Sequence, residues 1–245
     1  MFTRDALLLI GHGSNSVPNA ARPLLAHAGI IRASGRFAEV AVGTLFGEPN
    51  VLAAFDELTS AMIHVVPFFL EDGYFTRIAI PDLLLPRISE SRVLRFCPPI
   101  GSYNGIAGLL EKRLLTHCDL FGTDPKTLSV MLVGHGSAQN PGRARALRRH
   151  AATLETKHRF GWVRATYLEE EPFATTTLAA SRGHVAAVLG YLVNEGAHAT
   201  HDLPRLITEE RIYRGTTWPP VHDLGSIGAD KALPQMILDQ VTATR

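Results

Sequence analysis

Leu7-Leu8-Leu9-Ile10-Gly11-His12-Gly13-Ser14 returns later in the chain as Val130-Met131-Leu132-Val133-Gly134-His135-Gly136-Ser137. Each copy is a short apolar run closed by Gly-His-Gly-Ser, with a proline four residues further on, at Pro18 and Pro141. An apolar run of this length that stops at turn residues reads as a strand buried on both faces, the kind found in parallel sheets. Glycines on both sides of the histidine let the backbone turn at the strand's end and leave the imidazole projecting. The two histidines, at 12 and 135, lie 123 residues apart in a chain of 245. The chain therefore reads as an internal duplication, and each half is a control for the other.

The same offset holds well beyond the motif. Ala21-Arg22 meets Ala144-Arg145, His27-Ala28 meets His150-Ala151, and Arg36-Phe37 meets Arg159-Phe160. Glu48-Pro49 meets Glu171-Pro172, Gly73 meets Gly196, and Pro81 meets Pro204; Pro98-Pro99 then meets Pro219-Pro220 after a slip of two residues. Strand-like runs fall near Ala6–Ile10, Glu39–Gly43, Met62–Phe68 and Val93–Phe96, with helical stretches near Ala20–Ala33, Val51–Thr59, Pro81–Ile88 and Gly105–His117. The second half repeats the plan, with strands near Leu128–Val133, Trp162–Tyr167, Val185–Leu192 and Thr216–Trp218, and a closing helix near Lys231–Thr242. Alternating strands and helices predict an α/β protein. It should consist of two similar domains, 1–122 and 127–245, each a mainly parallel four-stranded sheet with flanking helices. The Gly122, Asp124 and Pro125 segment would join them, with a cleft between the facing domains.

Composition narrows the function. With 46% hydrophobic and 19% charged residues the chain is globular rather than disordered. A formal net charge of +1 provides no field for nucleic acid or an anionic membrane surface. No apolar window is long enough to span a bilayer, and Met1 to Ile10 runs straight into Gly-His-Gly, so it reads as a strand and not as a signal. Cys97 and Cys118 lack metal-ligand spacing and read as free thiols of a cytoplasmic protein. Eleven histidines point to metal or proton chemistry.

In a parallel sheet, ligands bind at the carboxyl ends of the strands. His135 follows the first strand of its half, Glu171 the second, and Asn194-Glu195-Gly196-Ala197-His198 the third. If the first strand lies between the other two, neighbouring strands about 4.8 Å apart bring all three positions to one rim. Two neutral imidazoles and a carboxylate suit a borderline divalent ion, and three protein ligands leave positions open for exchange. The first half keeps His12 and Glu48, but Phe75 stands at the position of His198. It therefore reads as a former site, with His12 as an accessory and Tyr74 offering a weak hydroxyl beside Phe75. Plainer readings compete. Glu171 sits in an acidic run, Glu169-Glu170-Glu171, of the kind usually found on solvated surface. His198 competes with His201, and Asp202 before Leu203-Pro204 suits a helix cap. His27 and His150 fall within helices. Ser14 and Ser137 would have to act as nucleophiles, but histidine holds the tip where an elbow serine would stand.

The strand ending in Gly-His-Gly-Ser, then Glu171-Pro172, then Gly196-x-His198-x-x-x-Asp202-Leu203-Pro204, resembles the class II tetrapyrrole chelatases. These are the sirohydrochlorin cobaltochelatase and ferrochelatase group, in its long two-domain form. The resemblance spans nearly the whole chain. It implies ATP-independent insertion of Co²⁺ or Fe²⁺ into sirohydrochlorin or a related tetrapyrrole, for cobalamin or siroheme biosynthesis. His135, His198 and Glu171 would be both the metal ligands and the catalytic groups. The metal and the tetrapyrrole are then substrates, no tightly bound cofactor is expected, and the protein would be a monomer or homodimer. The rival is a metal or tetrapyrrole carrier on the same fold.

Overall fold

The structure is a computed structural model that describes residues 2–17, 19–139, 142, 144–194 and 198–244, with His198 described in its backbone only. Pro18, Pro141 and the stretch Glu195-Gly196-Ala197 lie outside the described residues. The first sheet comprises β1 (Phe2–Gly13), β2 (Phe37–Phe46), β3 (Met62–Pro67) and β4 (Val93–Phe96). The second comprises β5 (Leu128–Gly134), β6 (Trp162–Tyr167), β7 (Val185–Gly190) and β8 (Val221–Ser226). Both are wholly parallel, in the orders β2-β1-β3-β4 and β6-β5-β7-β8. Leu9 pairs with Val42 and Val66, and its counterpart Leu132 pairs with Ala165 and Leu189, so the register is the same in both repeats.

The apolar runs 7–10 and 130–133 lie in the central strands β1 and β5. Leu7, Leu8, Leu9 and Ile10 are inaccessible to solvent, as are Val130 to Val133. A central parallel strand has helices over both faces, which is why these runs are continuously apolar rather than alternating. The helices are α1 (Arg22–Ala33), α2 (Val51–Asp56), α3 (Ile80–Leu84), α4 (Gly105–Phe121), α5 (Arg145–Glu155), α6 (Ala174–Ala180), α7 (Leu203–Arg214) and α8 (Leu233–Ala243). Among the described residues no helix is long and apolar enough to cross a membrane. Cys97 and Cys118 are free and buried, and burial pushes both thiols up from their ordinary value.

One strand departs from expectation. The fourth strand of the second repeat is Val221–Ser226 and not Thr216–Trp218. Ile63 pairs with Leu94, whereas its counterpart Ala186 pairs with Val221. The buried Arg214 guanidinium donates to the carbonyls of Pro219 and His184, and Trp218 N–H donates back to the Arg214 carbonyl. Residues 215 to 218 are thereby held as a turn after α7. Prolines have no N–H to give a ladder, so pairing begins beyond Pro219-Pro220. The diproline precedes one strand's counterpart and follows the other.

The compact units do not follow the sequence repeat. One unit contains Met1–Tyr103, Val193–Glu195 and Gly228–Arg245, and the other contains Asn104–Leu192 and Gly196–Ile227. The helix that ends each repeat thus packs in the unit of the other. In the second unit Arg113 of α4 donates to the carbonyls of Leu224 and Ser226 on β8, while Glu111 pairs with Lys157 and Arg159. In the first unit Gln240 of α8 donates to the Pro98 and Pro99 carbonyls. There His27 Nε2–H also donates to the Gly228 carbonyl at 2.7 Å. Burial of His27 outweighs that bond and pushes its pKa down.

Candidate metal and proton-transfer site

In the second sheet β5 lies between β6 and β7, so three adjacent strands end on one rim. His135 follows β5 and is exposed. Its Nδ1 lies 2.8 Å from the Gly136 carbonyl oxygen. A carbonyl can only accept, so Nδ1 carries the proton and the neutral ring keeps its lone pair on Nε2. That nitrogen is the one able to take a metal ion or a proton. Gly136 has φ +76°, and a Cβ there would come within 2.8 Å of Glu170 Cγ and 2.9 Å of Tyr167 Cβ. Only glycine fits this turn, and the turn sets the direction of the imidazole.

The acidic run after β6 separates into three environments. Glu169 places Oε2 3.7 Å from His135 Nδ1, with both side chains a little under half exposed. Glu170 is buried, and its Oε2 accepts Gly142 N–H at 2.6 Å. Glu171 is exposed, with no hydrogen bond or ion pair among the described residues. The residue beside His135 is therefore Glu169, whereas the register with Glu48-Pro49 singles out Glu171 in the sequence. The available signal was proximity to the strand end, since Glu169 is the second residue after β6 and Glu171 the fourth. A carboxylate beside the nitrogen opposite a metal-binding one orients the ring and compensates cationic charge.

His198 is the first residue of a π-helical turn, His198–Asp202, that leads into α7; its side chain lies outside the described residues. The first repeat has the same device at the same offset, a π-helical turn Phe75–Ala79 leading into α3. Such turns are rare and concentrate at functional sites. His201 is exposed within its turn, and Asp202 makes no side-chain cap to the helix it precedes. Among the described residues no three His, Cys, Asp or Glu side chains group to hold a metal ion.

The first repeat shows what the same frame does without acids. His12 Nδ1–H donates to the Gly13 carbonyl at 3.0 Å, repeating the tautomer of His135. Around it stand the rings of Phe46 at 4.8 Å, Phe75 at 5.1 Å and Phe69 at 6.3 Å, centroid to centroid. By the constant offset these are the positions of Glu169, His198 and Leu192. Glu48 is turned to its own loop, where Oε2 accepts Asn50 N–H at 2.9 Å. Tyr74 is exposed and packs its ring against Phe75. His27 and His150, within α1 and α5, are both buried, against Phe68 and Tyr191.

A family model described as CbiX matches residues 6–117 and again 129–244. The chain is 27% identical over 266 residues to a "Probable sirohydrochlorin cobaltochelatase" of Halobacterium salinarum, covering 96% of this chain and 90% of that protein. Among solved structures it is similar to DR2241 of Deinococcus radiodurans, described as a multi-domain protein with structural similarity to chelatases and two additional novel domains. The TM-score is 0.84 at 25% identity, over 99% of this chain and 56% of that one, so the chain spans a little over half of DR2241. SirB from Bacillus subtilis with Fe³⁺ has the same fold, with a TM-score of 0.81 at 20% identity, covering 98% of this chain and 95% of that one.

Proposed function

The chain belongs to the CbiX family, and from that membership we propose that it inserts Co²⁺ or Fe²⁺ into sirohydrochlorin or a related tetrapyrrole without ATP. The observation that carries the reading is the setting of His135. Its Nδ1 proton is committed to the Gly136 carbonyl, a carboxylate stands 3.7 Å from that nitrogen, and the lone pair of the neutral ring is therefore on Nε2. His198, at the head of the π-helical turn, is assigned as the second imidazole.

The chemistry asks little beyond this. A divalent ion enters the macrocycle as two pyrrole N–H protons leave, so charge balances without an external energy source. His135 and His198 hold the incoming ion through neutral nitrogens. As the ion passes to the ring, those same nitrogens become free to accept the departing protons. Glu169 compensates the charge that accumulates at His135, and Glu171, exposed on the rim, passes protons to solvent. The pathway, cobalamin or siroheme, follows the metal, and the setting is cytoplasmic.

The test is a steady-state assay with metal-free sirohydrochlorin and Co²⁺ or Fe²⁺, read by the change in absorption spectrum. Many turnovers per chain are expected. A single stoichiometric uptake would replace the chelatase by a carrier, and no uptake of either metal would remove both readings.

A further inference from the structure

We propose that Glu170 is a positioning residue for the second-repeat site: it locks the loop that follows His135 and so holds both the imidazole and Glu169 in place. The inference rests on the chelatase reading of that site. Glu170 lies between Glu169, beside His135, and Glu171, on the rim, yet it is only 4% exposed. One carboxylate oxygen accepts Gly142 N–H at 2.6 Å, and the other lies 4.0 Å from Arg148 Nη2. Arg148, on α5, donates from Nε to the Tyr167 hydroxyl at 3.1 Å and sets its guanidinium 5.4 Å from the centre of that ring. The hydroxyl donates in turn to the Ala144 carbonyl at 3.2 Å. These three side chains tie the end of β6 to the loop after His135 and to the start of α5. Gly136 is walled in by two of them, Glu170 and Tyr167.

The duplication shows what the brace is for. The counterparts of Glu170, Arg148 and Tyr167 in the first repeat are Gly47, Leu25 and Thr44. That repeat has the same strand register and the same left-handed residue after the histidine, Gly13 at φ +70°. It even keeps a left-handed residue at the counterpart of Gly142, Asn19 at φ 61° against 82°. All of this forms without a buried carboxylate, an arginine or a tyrosine, so the fold does not require the brace. The brace occurs in the half that keeps both site histidines and Glu169, and is missing from the half where phenylalanines replace the partners of His12. Burying a carboxylate is costly unless it is hydrogen-bonded and near a cation. An ionised acceptor holds a backbone N–H more tightly than a neutral one does. Its yield here is a held Gly142 backbone N–H and a close-packed Gly136 next to the candidate ligand.

The test is Glu170→Gln, which keeps size and an acceptor for Gly142 but removes the charge. Metal-free protein is titrated with Co²⁺ and followed by the visible absorption of the bound ion, a readout that needs no turnover. Steady-state rates are measured in parallel. The expected result is Co²⁺ affinity weaker by about 10- to 100-fold, the range seen when groups behind metal ligands are removed. The KM for metal should rise with it, while the KM for tetrapyrrole and the thermal unfolding profile stay close to the parent's. Restoring the carboxylate with Glu170→Asp should recover part of the affinity. If Glu170→Gln binds Co²⁺ as the parent does, and loses rate only in proportion to folded protein, the residue is a stability device and the proposal is wrong. Should Glu170→Gln not fold, Tyr167→Phe carries the same two measurements: weakened Co²⁺ binding in a folded protein supports the brace, and unchanged binding overturns it. Failure of the underlying reading looks different, because the parent itself would then show no Co²⁺ binding dependent on His135 and His198.

Discussion

Glu169 Oε2 stands 3.7 Å from His135 Nδ1, at the ring nitrogen that already donates to the Gly136 carbonyl. At the same station in the first repeat Phe46 sets its ring 4.8 Å from that of His12. One frame therefore presents its histidine to a carboxylate in one half and to an aromatic ring in the other.

Glu169→Gln is expected to lower kcat/KM for chelation by about 10- to 100-fold, as removal of a carboxylate that orients a metal-binding histidine does. Glu171→Gln should cost less than about 3-fold, because at an exposed position water can carry the protons in place of the carboxylate. Steady-state kinetics on the two variants decide it. A larger loss at Glu171 would return the acid's role to the rim residue.

His135→Ala and His198→Ala should each reduce the rate by at least about 10²–10⁴-fold, the cost of a positioned acid–base group, before any loss of metal is counted. His12→Ala should cost under about 10-fold, since rings rather than acids surround it. Equal inactivation at His12 and His135 would mean that both repeats act as one site.

The phenylalanines make a constructive test possible. Phe46→Glu together with Phe75→His places in the first repeat the residues that the second has at these positions. Co²⁺ bound per chain, measured by equilibrium dialysis, is expected to rise from about one to about two. A stoichiometry that stays at one would show that the frame needs more than these side chains, the Glu170 brace being the first candidate.

A pH effect follows from His117 and His222 in the second unit, whose rings lie 4.6 Å apart with Phe121 against both. Burial lowers the pKa of each, and for His222 the neighbouring His117 lowers it further. His27, buried in the first unit, is lowered for the same first reason. As pH falls below about 6.5, the unfolded chain takes up these protons before the folded one does, so stability declines until the folded values are passed. Thermal unfolding midpoints should therefore drop between about pH 7 and about pH 5. His222→Phe should flatten part of that slope, and a slope unaffected by the substitution would assign it to other groups.

The duplicated plan is legible without any structure. Two continuous apolar runs at a constant offset of 123 could only be equivalent buried strands, because a strand covered on both faces must be apolar on both. The glycines around His12 and His135 and the alternation of strands with helices were legible for the same reason: each reports a local steric or solvation requirement. The pairing of Phe75 with His198 was legible too, and the structure gives them matching π-helical turns. Other features needed the tertiary structure. Nothing in the apolar stripes of α4 and α8 says which sheet they cover, and each packs in the unit of the other repeat, through Arg113 and Gln240. The matching prolines could not place β8, because Arg214, distant in sequence from the site it closes at His184, decides where the turn ends. In Glu169-Glu170-Glu171 three identical side chains carry no pattern to tell them apart. Beyond the end of β6 alternation no longer governs direction, and only the folded turn sends one to His135, one into the interior and one to solvent.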